Sequence, residues 1–244
     1  VNDPNNGTTV LAGARQFGKA FVGQLAFGGL LGSGYIIKEI VQSGREVQKM
    51  EQMLIQASKS AQDFSNNLQF TKETSNALAV DFTEFGVAYS KILNATERSI
   101  LTQQQKQDIV FGFAKYMRTI NLASPDQAGV FRQLGQMFNT GRIQQDEINS
   151  MSDRGIAMNK FLRMAAEKLG MSSEQYMKLQ ESGKADPIKL MPIVAKMLAD
   201  AAENNGAFSK SLTTSLAKQQ AFTNAMKQFA ATLLKSGVDQ GLAN

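Results

Sequence analysis

The segment of residues 130–178 constrains the fold most, because helix-forming runs in it stop at glycines. Apolar residues recur there at spacings of three and four up to Phe138, which places them on one face of a helix. Gly141 follows, and a glycine can adopt the left-handed conformation that ends a helix. Asp146 and Glu147 then stand where the helix dipole favours acidic residues, in the first turn of a second helix. The segment therefore predicts short helices joined by tight turns.

Similar start and stop signals recur along most of the chain. Residues 102–105 and 172–175 read Thr-Gln-Gln-Gln and Ser-Ser-Glu-Gln, which are capping-box patterns. Pro192 predicts a break at residues 190–191, and residues 207–235 form a long amphipathic stretch. Alternating β-type runs are missing from the sequence. We predict an all-α fold, a multi-helix array of short capped helices with a long heptad-patterned helix near the N-terminus and a long C-terminal helix.

A heptad stripe follows residue 36 and predicts the long N-terminal helix. Its apolar positions recur every seven residues in two companion columns, which is the pattern of an a/d seam. Such a seam either docks on its own domain or joins copies of the chain in a homo-oligomeric coiled coil, and the sequence leaves both alternatives open. The predicted seam consists of Ile40, Val47, Met50, Leu54, Ala57, Ala61, Phe64 and Leu68.

An uncharged, glycine-rich run lies between Lys19 and Lys38. As one helix, residues 20–37 would span roughly 27 Å, close to the ~30 Å of a hydrocarbon core. The glycines suit close helix packing, so the run is either buried in a packed or oligomeric state or held for insertion into a membrane. The candidate membrane segment comprises Phe21, Val22, Leu25, Phe27, Gly28, Gly29, Leu30, Leu31, Gly32, Ile36 and Ile37.

The composition removes most catalytic chemistry. The chain has no cysteine and no histidine, so thiolate or imidazole ligands, the usual general base and the usual nucleophile arrangements are absent. The net charge is +5, but the basic residues of the chain are spread thinly along it and no aromatic residues interleave with them. A surface that binds single-stranded nucleic acid would need clustered basic residues with aromatic residues among them. We therefore predict no enzyme activity, no catalytic residues, no cofactor, no metal and no specific recognition of a nucleic-acid sequence.

Several motifs in a fixed order resemble a known family. The Phe131-Arg-Gln-Leu-Gly-Gln-Met-Phe run is followed by Gly141-Arg-Ile, by Glu147-Ile and by Leu169-Gly-Met-Ser-Ser-Glu. In order and spacing, residues 42–201 resemble the amino-terminal helical part of tailed-bacteriophage tape measure proteins. One departure is the stretch Asp-Arg-Gly-Ile at residues 153–156, where many members read Leu-Pro-Gly-Ala, so that turn is expected to differ in shape.

The resemblance implies a structural role in the virion. A tape measure protein fills the tail lumen, sets tail length during assembly in the host cytoplasm, and is released toward the host membrane at DNA ejection. The implied partners are the tail tube protein, tail-tip proteins, tail assembly chaperones, further copies of the chain, and the host inner membrane. The alternative function is that of a membrane-active helical protein of pore-forming or secretion type.

The sequence predicts three parts in the chain. Residues 1–41 form a flexible start with the glycine-rich run, residues 42–204 form the helical domain, and residues 205–244 form a C-terminal amphipathic helix. We expect the chain to be a fragment of a longer protein whose remainder is mostly helical.

Overall fold

A computed structural model describes residues 33–235 of the chain, with side chains from Glu39 onward except that of Asn205. These residues form eleven α-helices, one short 3-10 turn at Asn204–Gly206 and no strand, which confirms the all-α prediction. The helices are α1 (Ser33–Gln56), α2 (Ala61–Leu78), α3 (Phe82–Ala95), α4 (Gln103–Thr119), α5 (Ser124–Thr140), α6 (Gln145–Ser152), α7 (Met158–Lys168), α8 (Ser173–Glu181), α9 (Pro187–Glu203), α10 (Ala207–Leu212) and α11 (Ser215–Lys235).

Many helix ends lie where the sequence signals place them. Thr102 and Ser172 each accept a hydrogen bond from the backbone N–H three residues on, and the glutamine there bonds back to the capping residue, so both capping boxes form. Gly141 ends α5 with a φ of 68°. A residue with a Cβ rarely adopts that conformation, which is why glycine stands there. Local sequence therefore determines these ends without help from tertiary contacts.

The core is built around α9, which packs most extensively against α4 and also contacts α7 and α5. Gly112 of α4 is buried, and a Cβ on it would overlap the carbonyl group of Ala195 in α9. The missing side chain thus lets the two helix backbones approach closely. At the other side of the core, α1 packs against α11 and α3, and α3 packs against α5.

The heptad stripe is not one continuous helix, which differs from the prediction. α1 ends at Gln56, and Ser60 caps α2 by accepting a hydrogen bond of 3.1 Å from the N–H of Asp63. Ser58 donates its hydroxyl hydrogen to the carbonyl of Leu54 at 2.7 Å. Serine side chains near residues 58–60 therefore satisfy backbone groups locally and make the break favourable, although the apolar heptads run through it.

Three further helix ends differ from the sequence predictions. Apolar residues recur at spacings of three and four over residues 70–93, which predicts one helix, but the structure divides this stretch where Ala79 takes a left-handed φ of 49° and Asp81 caps α3. The expected final helix is divided between Leu212 and Ser215. The break at Pro192 is absent, because α9 continues through it. Burial of the apolar face on both sides of this proline outweighs the one backbone hydrogen bond that proline cannot donate.

The candidate membrane segment lies almost entirely outside the described residues. Within it, residues 33–37 form the start of the backbone of α1, and the side chains of Ile36 and Ile37 are not described. Among the described helices, none is both long and apolar enough to cross a membrane.

Candidate functional site

A buried asparagine fastens α11 to the start of α3. Asn224 is fully buried; its Oδ1 accepts from the backbone N–H of Phe82 at 2.9 Å, and its Nδ2 donates to the carbonyl of Val80 at 2.7 Å. These two backbone groups belong to the turn between α2 and α3, where a helix cannot pair them. One side chain therefore satisfies a donor and an acceptor that would otherwise be buried without partners.

An ion cluster extends the same contact one turn along α11. The ammonium of Lys227 lies 2.8 Å from Oδ2 of Asp81, donates to Thr83 Oγ1 at 2.7 Å, and lies 3.3 Å from Oε2 of Glu46. The side chains of Lys227 and Asp81 are only 12% and 11% exposed, so water screens this pair less than a surface pair.

The pKa of Asp81 shows which effect dominates in that cluster. Burial by itself raises the pKa of this carboxyl, but the hydrogen bond from Lys227, the backbone N–H of Glu84 and the positive charge of Lys227 together lower it below its ordinary value. Asp81 is therefore ionised at neutral pH and pairs with Lys227. The cluster joins α1, α3 and α11.

The far end of α11 also holds α1. The ammonium of Lys235 lies 2.8 Å from Oε1 of Glu51, a carboxylate whose side chain is 11% exposed. Gly44 of α1 is buried, and a Cβ on it would overlap the side chain of Leu234 in α11. We call the contacts made by Asn224, Lys227, Lys235 and Gly44 the α1–α11 clasp.

A buried arginine fixes the turn that precedes α11. Arg118 at the end of α4 is 1% exposed and donates from Nη2 to the carbonyl of Ser211 at 3.0 Å and to Thr214 Oγ1 at 2.7 Å. Burial lowers its pKa, and its Nε has no partner among the described residues. The division of the predicted final helix at residues 213–214 is therefore stabilised by a long-range contact.

Three of the eight predicted seam residues lie inside the chain's own core. Val47, Met50 and Leu54 are 2%, 0% and 0% exposed and belong to the hydrophobic core, where the thioether of Met50 lies over Gly86 of α3. Of the other members, Ala57, Phe64 and Leu68 are half-buried and pack against that core, Ile40 is half-buried, and Ala61 is exposed.

A polar pocket of about 710 Å³ lies at α6, α7 and α8, away from the clasp. Arg142, Arg163 and Tyr176 form part of its wall. Tyr176 is 1% exposed and its hydroxyl has no hydrogen-bond partner among the described residues. Burial raises the pKa of Tyr176 to about 12, and the nearby charge of Arg163 opposes that rise. No sequence pattern indicates this pocket, because it combines residues from three helices and two turns.

No metal-binding arrangement lies in the described part of the chain. In residues 33–235, no group of three or more carboxylates lies close enough to hold a metal ion. Several polar side chains that are buried there pair backbone groups at helix ends and turns, as Asn224 and Arg118 do.

Comparison with known proteins identifies the family. The model of the family described as "Tape measure protein" matches residues 38–235, which is most of the chain and nearly the same range that the structure describes. The chain belongs to the tape measure protein family, whose members are structural proteins of phage tails. No curated protein and no solved structure matches the chain.

The family match extends over the α1–α11 clasp. It begins at Lys38, in the second turn of α1, and ends at Lys235, the last residue of α11. The described part of the predicted C-terminal segment, residues 205–235, packs back on α1 rather than standing apart. The clasp is therefore part of the matched region.

Proposed function

We propose that this chain is the folded helical domain of a tape measure protein that lies in the tail lumen, takes part in setting tail length during assembly, and is released toward the host membrane when DNA is ejected. The observation that carries the proposal is the match of residues 38–235 to the tape measure family. The buried side chains of Asn224 and Arg118, which pair backbone groups between distant helices, also support a role that depends on shape and contacts.

The α1–α11 clasp supports a role in transmitting force. Residues 1–32 join the structure at α1, and residues 236–244 join it at α11. Any pull applied through these two flanking segments therefore acts directly on the contacts between α1 and α11. The ion pairs of Lys227 with Glu46 and of Lys235 with Glu51 resist separation of these helices. When the tail is assembled the clasp keeps the domain closed, and on ejection its rupture lets the chain extend.

We further propose the tail tube protein, tail-tip proteins and tail assembly chaperones as partners, together with further copies of this chain. A homo-oligomer cannot form through Val47, Met50 and Leu54 unless α1 leaves the core, because these residues are buried within the chain. On α2, Ala61 is exposed, and Phe64 and Leu68 keep part of their surface exposed while packing against the core, so this face of α2 is the part of the seam that a second copy can still reach.

Self-association is tested by light scattering. The wild-type chain is expected to exceed the mass of a monomer as its concentration rises, and a Phe64→Glu variant is expected to shift that association to higher concentration. A wild-type mass that stays monomeric across the whole range would overturn the homo-oligomer proposal.

The function itself is tested in the phage. A stop codon early in the gene is expected to abolish normal tails, leaving heads without tails or with tubes of uneven length in negative-stain images. Mass spectrometry of tails purified from the wild-type phage is expected to detect peptides of residues 38–235. Normal tails in the mutant phage, or absence of these peptides from purified tails, would contradict the proposal.

A further inference from the structure

The pocket at α6, α7 and α8 is built from parts that are already held in place. The backbone N–H of Ile143 donates to the carbonyl of Ala185 at 3.0 Å, which ties the turn after α5 to the turn before α9. Gln180 of α8 donates from its side-chain amide to Gln145 Oε1 of α6 at 2.6 Å. The walls are therefore connected to each other before any ligand arrives.

Two guanidinium groups in the pocket wall have no carboxylate partner. Arg142 and Arg163 are both exposed, and neither forms an ion pair with any described residue. Glu181 also lines the pocket, but it lies within ion-pair distance of neither arginine. A guanidinium group is suited to bind a carboxylate through two parallel hydrogen bonds, and here both groups remain available to a ligand.

The buried tyrosine gives an independent sign of a missing ligand. The hydroxyl of Tyr176 is shielded from water and has no partner among the described residues. A buried polar group without a partner is unfavourable, and such groups in native structures call for an explanation. The charge of Arg163 is near enough to act on this hydroxyl. One anionic group would accept a hydrogen bond from both side chains once the side chains that cover this hydroxyl move aside.

The size and the remaining wall favour a peptide over a free ion. A volume of about 710 Å³ falls within the range of sites for organic ligands and far exceeds the need of one small anion. Gln144 and Asn159 supply amide groups that can both donate to and accept from a peptide backbone. Met177, 46% exposed, offers an adaptable apolar contact at the same pocket.

We propose that this pocket binds an acidic segment of a partner protein, with a side-chain carboxylate held by Arg163, Arg142 and the Tyr176 hydroxyl. The site lies on α6–α8 and is separate from the α1–α11 clasp. Because it is tested on the purified chain, its failure would leave the proposed role in the tail untouched.

The experiment uses two labelled peptides with capped ends: the first consists of six glutamates and the second of six glutamines. Binding of each peptide to the full chain is measured at about 50 and 150 mM salt. The glutamate peptide is expected to bind and to shift the side-chain NMR signals of Arg142 and Arg163, and the glutamine peptide is expected to bind at least tenfold more weakly. Arg163→Gln is expected to weaken binding of the glutamate peptide at least tenfold. The matched control is Arg132→Gln on α5, which removes the same charge from an exposed residue outside the pocket.

The Tyr176→Phe variant separates binding from folding. It removes the unpaired hydroxyl while keeping the buried ring, so we expect a melting temperature equal to or above that of the wild type together with several-fold weaker peptide binding. The proposal is overturned if neither peptide binds, if Arg132→Gln weakens binding as much as Arg163→Gln, or if Tyr176→Phe leaves binding unchanged. Displacement of the peptide by millimolar inorganic phosphate at unchanged ionic strength would also overturn it, because the site would then hold only a simple anion.

Discussion

Replacement of Asn224 by alanine tests the most specific contact of the clasp. The change leaves the N–H of Phe82 and the carbonyl of Val80 without their side-chain partners, at a position that is 0% exposed. Each buried group left unpaired costs about 1–3 kcal/mol, so the two together are expected to lower the free energy of unfolding by about 2–6 kcal/mol. Alanine favours helix slightly more than asparagine does, which offsets less than about 1 kcal/mol of this loss.

Urea unfolding followed by circular dichroism measures the loss. With a slope of about 3 kcal/mol per molar urea, the midpoint is expected to fall by roughly 0.7–2 M. The matched control is Asn139→Ala on α5, an exposed residue for which the same substitution removes no described hydrogen bond. Its midpoint is expected to move little, since surface substitutions usually change stability by less than about 0.5 kcal/mol. If Asn224→Ala lowers the urea midpoint no more than Asn139→Ala does, Asn224 does not hold α11 in place and the reasoning is refuted.

Three further outcomes are expected. The pKa of Asp81 is lower in the folded chain than its ordinary value of 3.8, so this carboxylate stabilises the fold above pH 3.8 and stops doing so as the pH falls through the folded pKa. In urea unfolding, the free energy by which wild type exceeds Asp81→Asn should therefore shrink between pH 6 and pH 3. A difference that does not depend on pH would contradict this. Arg118→Met should lower the free energy of unfolding by about 1–3 kcal/mol, since the buried carbonyl of Ser211 and the hydroxyl of Thr214 both lose their hydrogen bond from the guanidinium. The exposed Arg132→Met should change the free energy of unfolding by less than about 0.5 kcal/mol, and equal losses would argue against the role of Arg118. Gly29→Asp should reduce both the flotation of the chain with liposomes and the leakage that it causes, because a charge at the centre of a membrane helix costs about 2.5–3.5 kcal/mol. Equal membrane binding by the wild type and the variant, or no binding by either, would show that residues 20–37 do not insert.

Helix starts and stops were the part of the fold that the sequence could predict. The capping boxes at Thr102 and Ser172 and the stop at Gly141 depend only on residues within one turn, so local chemistry decides them. The break after Gln56 could not be found from the heptad pattern, because apolar residues keep their spacing through it while Ser58 and Ser60 bond to the backbone. Local hydrogen bonding was the competing effect there.

The continuity of α9 shows the opposite case. Pro192 signalled a break, yet the helix continues because residues on both sides of the proline are buried against α4 and α7. Tertiary packing here outweighs a local preference. No sequence pattern reports that packing, since the contacting residues are far apart in the chain.

The candidate sites depended still more on long-range contacts. Asn224 stands in an otherwise amphipathic helix, and a single asparagine on its buried face was the one signal that could have suggested a buried polar contact. Its partners Phe82 and Val80 lie more than 140 positions earlier. The pocket around Tyr176 had no signal in the sequence. That its hydroxyl lacks a partner and that Arg163 has no carboxylate nearby become evident only in the folded chain.

The central claim, that this chain is part of a protein that sets tail length, is tested most directly by measuring that length. Four and eight helical heptads, 28 and 56 residues, are inserted after Lys235 in the phage gene, and tails are measured in negative-stain images. At about 1.5 Å per residue the tails are expected to lengthen by roughly 42 and 84 Å, in proportion to the insertion. Tails that keep the wild-type length with both insertions, while still containing the enlarged protein, would contradict the account.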